Sequence, residues 1–184
     1  VRLRAASSDY KADVRISKEI LKQLSEVYRK IRNTIRYILG NTSDFDYTKD
    51  KVAFEDMEEL DRWALMHTQL LKKEVTAAYE AYDFYVLYHA IHNFCTVEMS
   101  AFYLDIIKDR LYASKAEAKE RRSAQTAMYE IMNDLIVMLT PVLSFTMEEV
   151  YQFMTKPVDA PESVQMLPWP TVHEEYIDEA LETK

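Results

Sequence analysis

The sequence predicts an all-α fold, an antiparallel helical bundle of four to five helices closed by an irregular, proline-containing C-terminal segment. Three observations predict it. One glycine and five prolines in 184 residues leave few turn formers, so long helices with short connections follow. Apolar residues recur at helical spacing over several long stretches. Ser17, Asp83 and the box Thr146-Met-Glu-Glu149 stand where helix starts need side-chain acceptors.

Residues 1–16 are short and mixed, read as a strand or loop remnant that links to something upstream; an opening on Val1 rather than Met reads as a piece of a longer polypeptide. Residues 17–155 form the bundle. Ser17 is the N-cap of the first long helix, with Glu19 in the turn where the helix dipole favours an anion. Leu24, Val27, Tyr28, Ile31, Ile35 and Ile38 build its apolar face, and Gly40 is expected to stop it at the C′ position. Asn41–Ala53 reads as a polar loop. A second helix is expected from about Glu55 to Tyr82 and a third over Phe84–Ala113, capped by Asp83. The third is apolar around much of its circumference, which places it centrally. Ser114–Arg122 reads as a charged helix end or loop. A fourth helix follows over about Ser123–Leu139, ended by Pro141. The Thr146–Glu149 capping box opens a fifth, to about Met154. Four prolines within 157–170 make residues 156–184 the irregular segment.

Composition bounds the function. A chain that is 48% apolar and 29% charged is ordinary for a soluble domain. A net charge of −8 argues against wholesale wrapping of nucleic acid, because the summed field repels phosphates. With Cys95 as the single cysteine no internal disulfide forms, which fits a reducing cytosol. There is no apolar run long enough to span a membrane and no signal-peptide pattern.

Against that acidic background the first long helix carries a cationic stripe. Arg29, Arg32, Asn33 and Arg36 share one face, and Lys18 and Lys22 continue it. Arginine and asparagine are the residue types that grip phosphates and read base edges. Tyr37 adjoins the stripe, where a splayed base can stack. The competing reading is a solvated helix face.

Other constellations are weaker. His89, His92 and Cys95 form an H-x-x-H-x-x-C run, but successive steps of three residues leave His89 and Cys95 about 120° apart, so one helix cannot close a metal site. Asp44, Asp46, Thr48, Asp50 and Glu55 mimic a calcium loop, yet Lys49 stands where the required glycine belongs. No histidine has Glu three residues before it, as a di-iron bundle needs. A single glycine rules out a glycine-rich phosphate loop. No catalytic or metal-ligating set is assigned.

The segments YRKIRNTIRYILGNTSDFD (28–46), AFYLDIIKDRLY (101–112), RRSAQT (121–126), LTPVLSFTMEEVY (139–151) and MLPWP (166–170) occur in that order. Together they resemble the anticodon-binding helical domain of bacterial isoleucyl-tRNA synthetases, class I aminoacyl-tRNA synthetases. The resemblance runs from the N-terminus to Pro170. It implies a domain that grips the anticodon stem-loop of tRNA(Ile); face geometry and residue type make Arg29, Arg32, Asn33 and Arg36 the expected contacts, with Tyr37, Lys108 and Arg110 behind them. It also implies a cytoplasmic protein whose partners include the catalytic, editing and zinc-binding domains of the same parent chain. The catalytic signatures H-x-G-H and K-M-S-K-S are not in the sequence; His89-Ala90-Ile91-His92 lacks the glycine. The resemblance therefore implies that ATP, Mg and Zn belong to a full-length ligase and that this stretch alone is inactive. Two positions depart from the pattern: Arg4 stands for a usual Trp, and Ser144 for a usual Pro. The alternative function is a helical protein-interaction module, its acidic surface meeting a basic partner.

Overall fold

A computed structural model describes residues 1–182. Its helices are α1 (Arg2–Ala6), α2 (Lys18–Asn41), α3 (Tyr47–Asp50), α4 (Glu59–Glu80), α5 (Phe84–Asn93), α6 (Leu104–Ala113), α7 (Lys119–Leu139) and α8 (Ser144–Phe153). A π-helical segment, Phe94–Tyr103, joins α5 to α6 without a break. Among the described residues there is no strand. The fold is all-α, as the periodicities predict. The long helices α2, α4, α7 and the α5–π–α6 rod enclose one core, in which Ile31, Ile35 and Ile38 of α2 are buried with Leu65, Phe94, Met99, Met132 and Leu135.

Start signals are read correctly where a short polar side chain precedes the apolar run. Ser17 Oγ accepts from Ile20 N at 3.2 Å, and Asp83 Oδ1 from Val86 N at 3.3 Å. The predicted helix over 84–113 is continuous, and Phe94, Cys95, Met99 and Tyr103 of its π segment are fully buried.

Five expectations need correction. Residues 2–6 are helical rather than a strand or loop remnant, because Leu3 and Ala6 face the core one turn apart. The Asn41–Ala53 loop contains α3, N-capped by Asp46, and buries Phe45. Helix α4 starts at Glu59, since residues 54–56 form a 3₁₀ turn first. Helix α7 starts at Lys119, so RRSAQT lies inside a helix. Helix α8 starts at Ser144: Met147 N already bonds Leu143 O at 2.9 Å, so Thr146 caps nothing. Its Oγ1 instead pairs with Tyr28 Oη of α2 at 3.0 Å.

The lone glycine is not a stop either. Gly40 lies within α2, which runs on to Asn41. The last carbonyls are satisfied by side chains, Asn41 Nδ2 donating to Tyr37 O at 2.9 Å and Thr42 Oγ1 to Ile38 O at 2.8 Å, so no left-handed residue is required. The left-handed position falls at Tyr82 after α4, with φ 54°. There Asp83 N bonds Ala78 O at 2.8 Å and Tyr82 N bonds Tyr79 O at 3.1 Å, the two-bond helix stop that glycine normally serves.

The proline-containing end lies across α8, α7 and α4, held mainly through its backbone. Pro161 O accepts from Tyr151 Oη at 2.6 Å, Val164 N donates to Glu148 Oε2 at 3.1 Å, and Trp169 Nε1 donates to Thr76 Oγ1 at 2.9 Å. Thr171 O accepts from the buried Lys72 Nζ at 3.0 Å. Lys72 also pairs with Asp134 at 2.7 Å, whose carboxyl is pushed up to about 6 by burial despite that ammonium. The tail continues in 3₁₀ turns at Glu174–Tyr176 and Glu179–Leu181. The last two residues of the predicted irregular segment, 183–184, lie outside the described residues.

Candidate nucleic-acid interface

Helix α2 has 24 residues and runs about 36 Å at 1.5 Å per residue. Its buried positions, Ile31, Thr34, Ile35 and Ile38, fix which side faces outward. Arg29, Arg32, Asn33 and Arg36, at spacings of three and four, fall on the opposite side and are all exposed. Arg29 is paired with Glu26 one turn back, both side chains being largely in solvent. Arg32 and Arg36 form no ion pair or hydrogen bond with other described residues, so both guanidiniums are open to an anionic ligand. Lys18, Lys22 and Lys30 are exposed on the same helix.

Asn33 and Tyr37 turn from the stripe toward α6. With Thr34, Ser100, Leu104, Asp105 and Lys108 they line a cleft of about 250 Å³ between α2 and the π–α6 rod. Thr34 fixes this junction, its Oγ1 2.8 Å from Ser100 Oγ and 3.0 Å from Lys30 O. Tyr37 Oη is shielded and has no partner. Burial raises the Tyr37 pKa, with Tyr112 adding to that effect and Lys108 opposing it, so the phenol stays protonated as a donor. Lys108 Nζ bonds Asp105 Oδ1 at 2.8 Å, and that carboxylate raises its pKa. The site therefore combines two open guanidiniums and an amide beside a cleft that the Tyr37 ring lines.

Arg110 has a different place. Its Nη1 meets the fully buried Asp61 at 2.7 Å, alongside Tyr103 Oη at 2.7 Å and Ser123 Oγ at 2.5 Å. Burial raises the Asp61 pKa and outweighs the three donors that pull it down. This knot joins α4, the π segment, α6 and α7. Arg110 braces the bundle and is not an outward cation. The RRSAQT segment is likewise internal. Arg121 forks onto Asp44 at 2.7 and 3.2 Å, Gln125 Nε2 donates to Asn41 O at 2.9 Å, and Thr126 Oγ1 accepts from Val52 N at 3.1 Å. Those bonds hold the α2–α4 connection on α7; the sequence marks Ser114–Arg122 only as a charged helix end or loop and Ser123 as the start of a helix.

The acidic residues of the calcium-like loop serve the same scaffold. Asp46 caps α3, Asp44 receives Arg121, and Asp50 accepts from Asp46 N at 2.9 Å. Cys95 is buried, its thiol pushed up to about 12 by desolvation, and burial lowers the pKa of His92. Among the described residues no three His, Cys, Asp or Glu side chains converge on a metal position. No helix among them is long and apolar enough to cross a membrane.

Comparison with known proteins gives the family. A family model described as the anticodon-binding domain of tRNA ligase matches residues 61–184, which runs from the first turn of α4 through α8 and leaves the α2 stripe N-terminal to the match. Isoleucine–tRNA ligase of Desulforamulus reducens is 55% identical over 184 residues, all of this chain and 20% of that protein. The enzymes so named from Moorella thermoacetica and Geobacter sulfurreducens are each 53% identical, over 100% and 98% of this chain and 20% and 19% of their own length. The chain thus spans about a fifth of the curated relatives it matches, and that fifth includes α2. It belongs to the family of anticodon-binding domains of tRNA ligases.

Proposed function

We propose that this chain is the anticodon stem-loop binding domain of an isoleucyl-tRNA synthetase, positioning tRNA(Ile) for ATP-dependent aminoacylation by a catalytic domain elsewhere in a longer cytoplasmic polypeptide. Family membership and relatives that are isoleucine–tRNA ligases support it. The observation that carries the contact is the pair of open guanidiniums, Arg32 and Arg36, on the outward face of a helix in a chain of net charge −8. Arg29, Arg32 and Arg36 neutralise loop phosphates; Asn33 reads a base edge; Tyr37 offers a stacking ring; Lys108 borders the same cleft. Arg110 supports these contacts from within the fold. The partners are tRNA(Ile) and the catalytic, editing and zinc-binding domains of the same polypeptide. ATP, Mg and Zn serve those other domains.

Filter binding of a tRNA(Ile) transcript across a salt series tests the contact. Three or four neutralised phosphates on an unpaired loop give a slope of log K against log salt of roughly −2 to −3. Arg32→Ala is expected to weaken binding at every salt concentration and to make that slope shallower by roughly 0.7, the share of one phosphate contact. Binding independent of salt, or untouched by Arg32→Ala, contradicts the assignment.

A further inference from the structure

The cleft between α2 and the π–α6 rod holds a group that phosphate binding does not explain. Asp105 of α6 lines it, one turn before Lys108 and together with Asn33 and Tyr37 of α2. A carboxylate beside a cationic stripe repels phosphate and so opposes the backbone contact that Arg32 and Arg36 offer. Helix stability does not explain it either. Asp105 Oδ1 accepts from Lys108 Nζ at 2.8 Å, but the two side chains are 59% and 47% exposed, and a solvated pair of this kind adds little. Asp105 Oδ2 has no partner among the described residues. The pair therefore presents two accepting oxygens beside a donating ammonium.

The opening around this pair is fixed and partly apolar. Thr34 Oγ1 lies 2.8 Å from Ser100 Oγ, which locks the separation of α2 and the rod. Leu104 and the Tyr37 ring line the cleft. Tyr37 feels Tyr112, Lys108 and Asp105 electrostatically, so these four side chains surround one opening. Tyr112 is 75% exposed and has no ring partner among the described residues. RNA bases that enter such openings are read on their Watson–Crick edges. Only guanine carries two adjacent donors beside an acceptor there, N1–H and N2–H next to O6. Adenine and cytosine carry one donor group, and uracil sets its donor between two acceptors.

We propose that this cleft reads an unpaired guanine of the bound RNA. N1–H and N2–H donate to the Asp105 carboxylate, O6 accepts from Lys108 Nζ, and the base lies against the Tyr37 ring. The site rests on the RNA-binding reading above: Arg32 and Arg36 hold the backbone whatever the sequence, and Asp105 supplies the choice of base.

Fluorescence anisotropy of the 184-residue chain with labelled hairpin RNAs tests it. Every hairpin has the same stem and a seven-nucleotide loop of uridines, in which one guanine is moved through each position. At one position guanine should tighten binding about tenfold or more over the all-uridine loop, the discrimination of a bidentate base contact. Inosine at that position, which lacks the N2 amino group, should lose most of the gain. Asp105→Asn should bring the guanine-to-uridine ratio to about one, since an amide turns only one acceptor toward the base. Asp105 is exposed, so the variant keeps the fold. No binding of any hairpin would sink the RNA-binding reading and this site with it. Salt-dependent binding without a guanine preference at any position, or a preference that survives Asp105→Asn, overturns the guanine site alone.

Discussion

Replacing Asp61 by alanine should destabilise the bundle far more than any change on the α2 stripe. Asp61 is 0% exposed and accepts from Tyr103, Arg110 and Ser123, which lie on three separate elements. Truncation leaves the Arg110 guanidinium, 21% exposed, and the fully buried Tyr103 hydroxyl without that acceptor. Breaking one partner of a buried ion pair costs about 3–5 kcal/mol, and each further orphaned group about 1–3. The raised Asp61 pKa shows that desolvation already opposes the ionised carboxylate, so removal returns part of this loss. A net loss of about 3 kcal/mol follows, lowering Tm by roughly 6–12 °C for a chain this size. Urea unfolding followed by circular dichroism measures it, with Tyr103→Phe and the double variant closing a cycle. The sign with pH is fixed too. A carboxyl whose folded pKa is raised adds stability below its unfolded value of 3.8, and that contribution is lost as pH climbs through the folded value. Asp61→Ala should flatten that part of the stability profile. A loss under about 1 kcal/mol, with additive Tyr103→Phe, would refute the claim that this knot ties the helices together.

Two helix-end substitutions should stabilise the chain. Gly40 is helical with nothing within 4 Å of where a Cβ would sit, so Gly40→Ala should add about 0.5–1 kcal/mol. Tyr82→Gly should relieve a left-handed residue worth about 1–2 kcal/mol, less its edge contact with Phe84; thermal melts check both. The tail is tied by His67, whose Nδ1 is 3.0 Å from Glu98 and Nε2 2.6 Å from Glu182. Burial depresses the His67 pKa, but the two carboxylates outweigh it and the net shift is upward. That contribution is full below the unfolded value of 6.5 and is lost as pH climbs through the folded one. Protection factors of the amides in 178–182, corrected for base-catalysed intrinsic exchange, should therefore fall on the alkaline side, and His67→Gln should remove that fall.

What was legible in the sequence was whatever a local pattern controls. The 3.6-residue spacing of Ile31, Ile35 and Ile38 announced α2 and its outward stripe, and the short acceptors Ser17 and Asp83 announced two starts. What failed were ends governed by contacts between distant residues. Gly40 looks like a stop only until Asn41 and Thr42 are seen feeding the last carbonyls. Thr146 matches a capping box, but Tyr28, 118 positions away, claims its hydroxyl. The π segment has no signal in apolar periodicity, because residues 94–103 are apolar on nearly every side. In the site, stripe position followed from spacing, whereas Arg110 could be told from Lys108 only by the partner it meets: Asp61, 49 residues upstream and inside the core. The words that carry the family resemblance divide the same way. RKIRNT builds most of the outward face; Arg110 of DRLY and the RRSAQT segment encode buried polar joints.

The central claim is that Arg32 and Arg36 meet RNA phosphate. Its most direct measurement is the salt slope of tRNA(Ile) binding for the native chain and for Arg32→Gln with Arg36→Gln, at matched helicity. Loss of two phosphate contacts should make the slope shallower by roughly 1.4 and weaken binding at every salt concentration. An unchanged slope, with affinity intact, would mean that the exposed face of α2 is merely solvated and that tRNA, if bound, sits elsewhere.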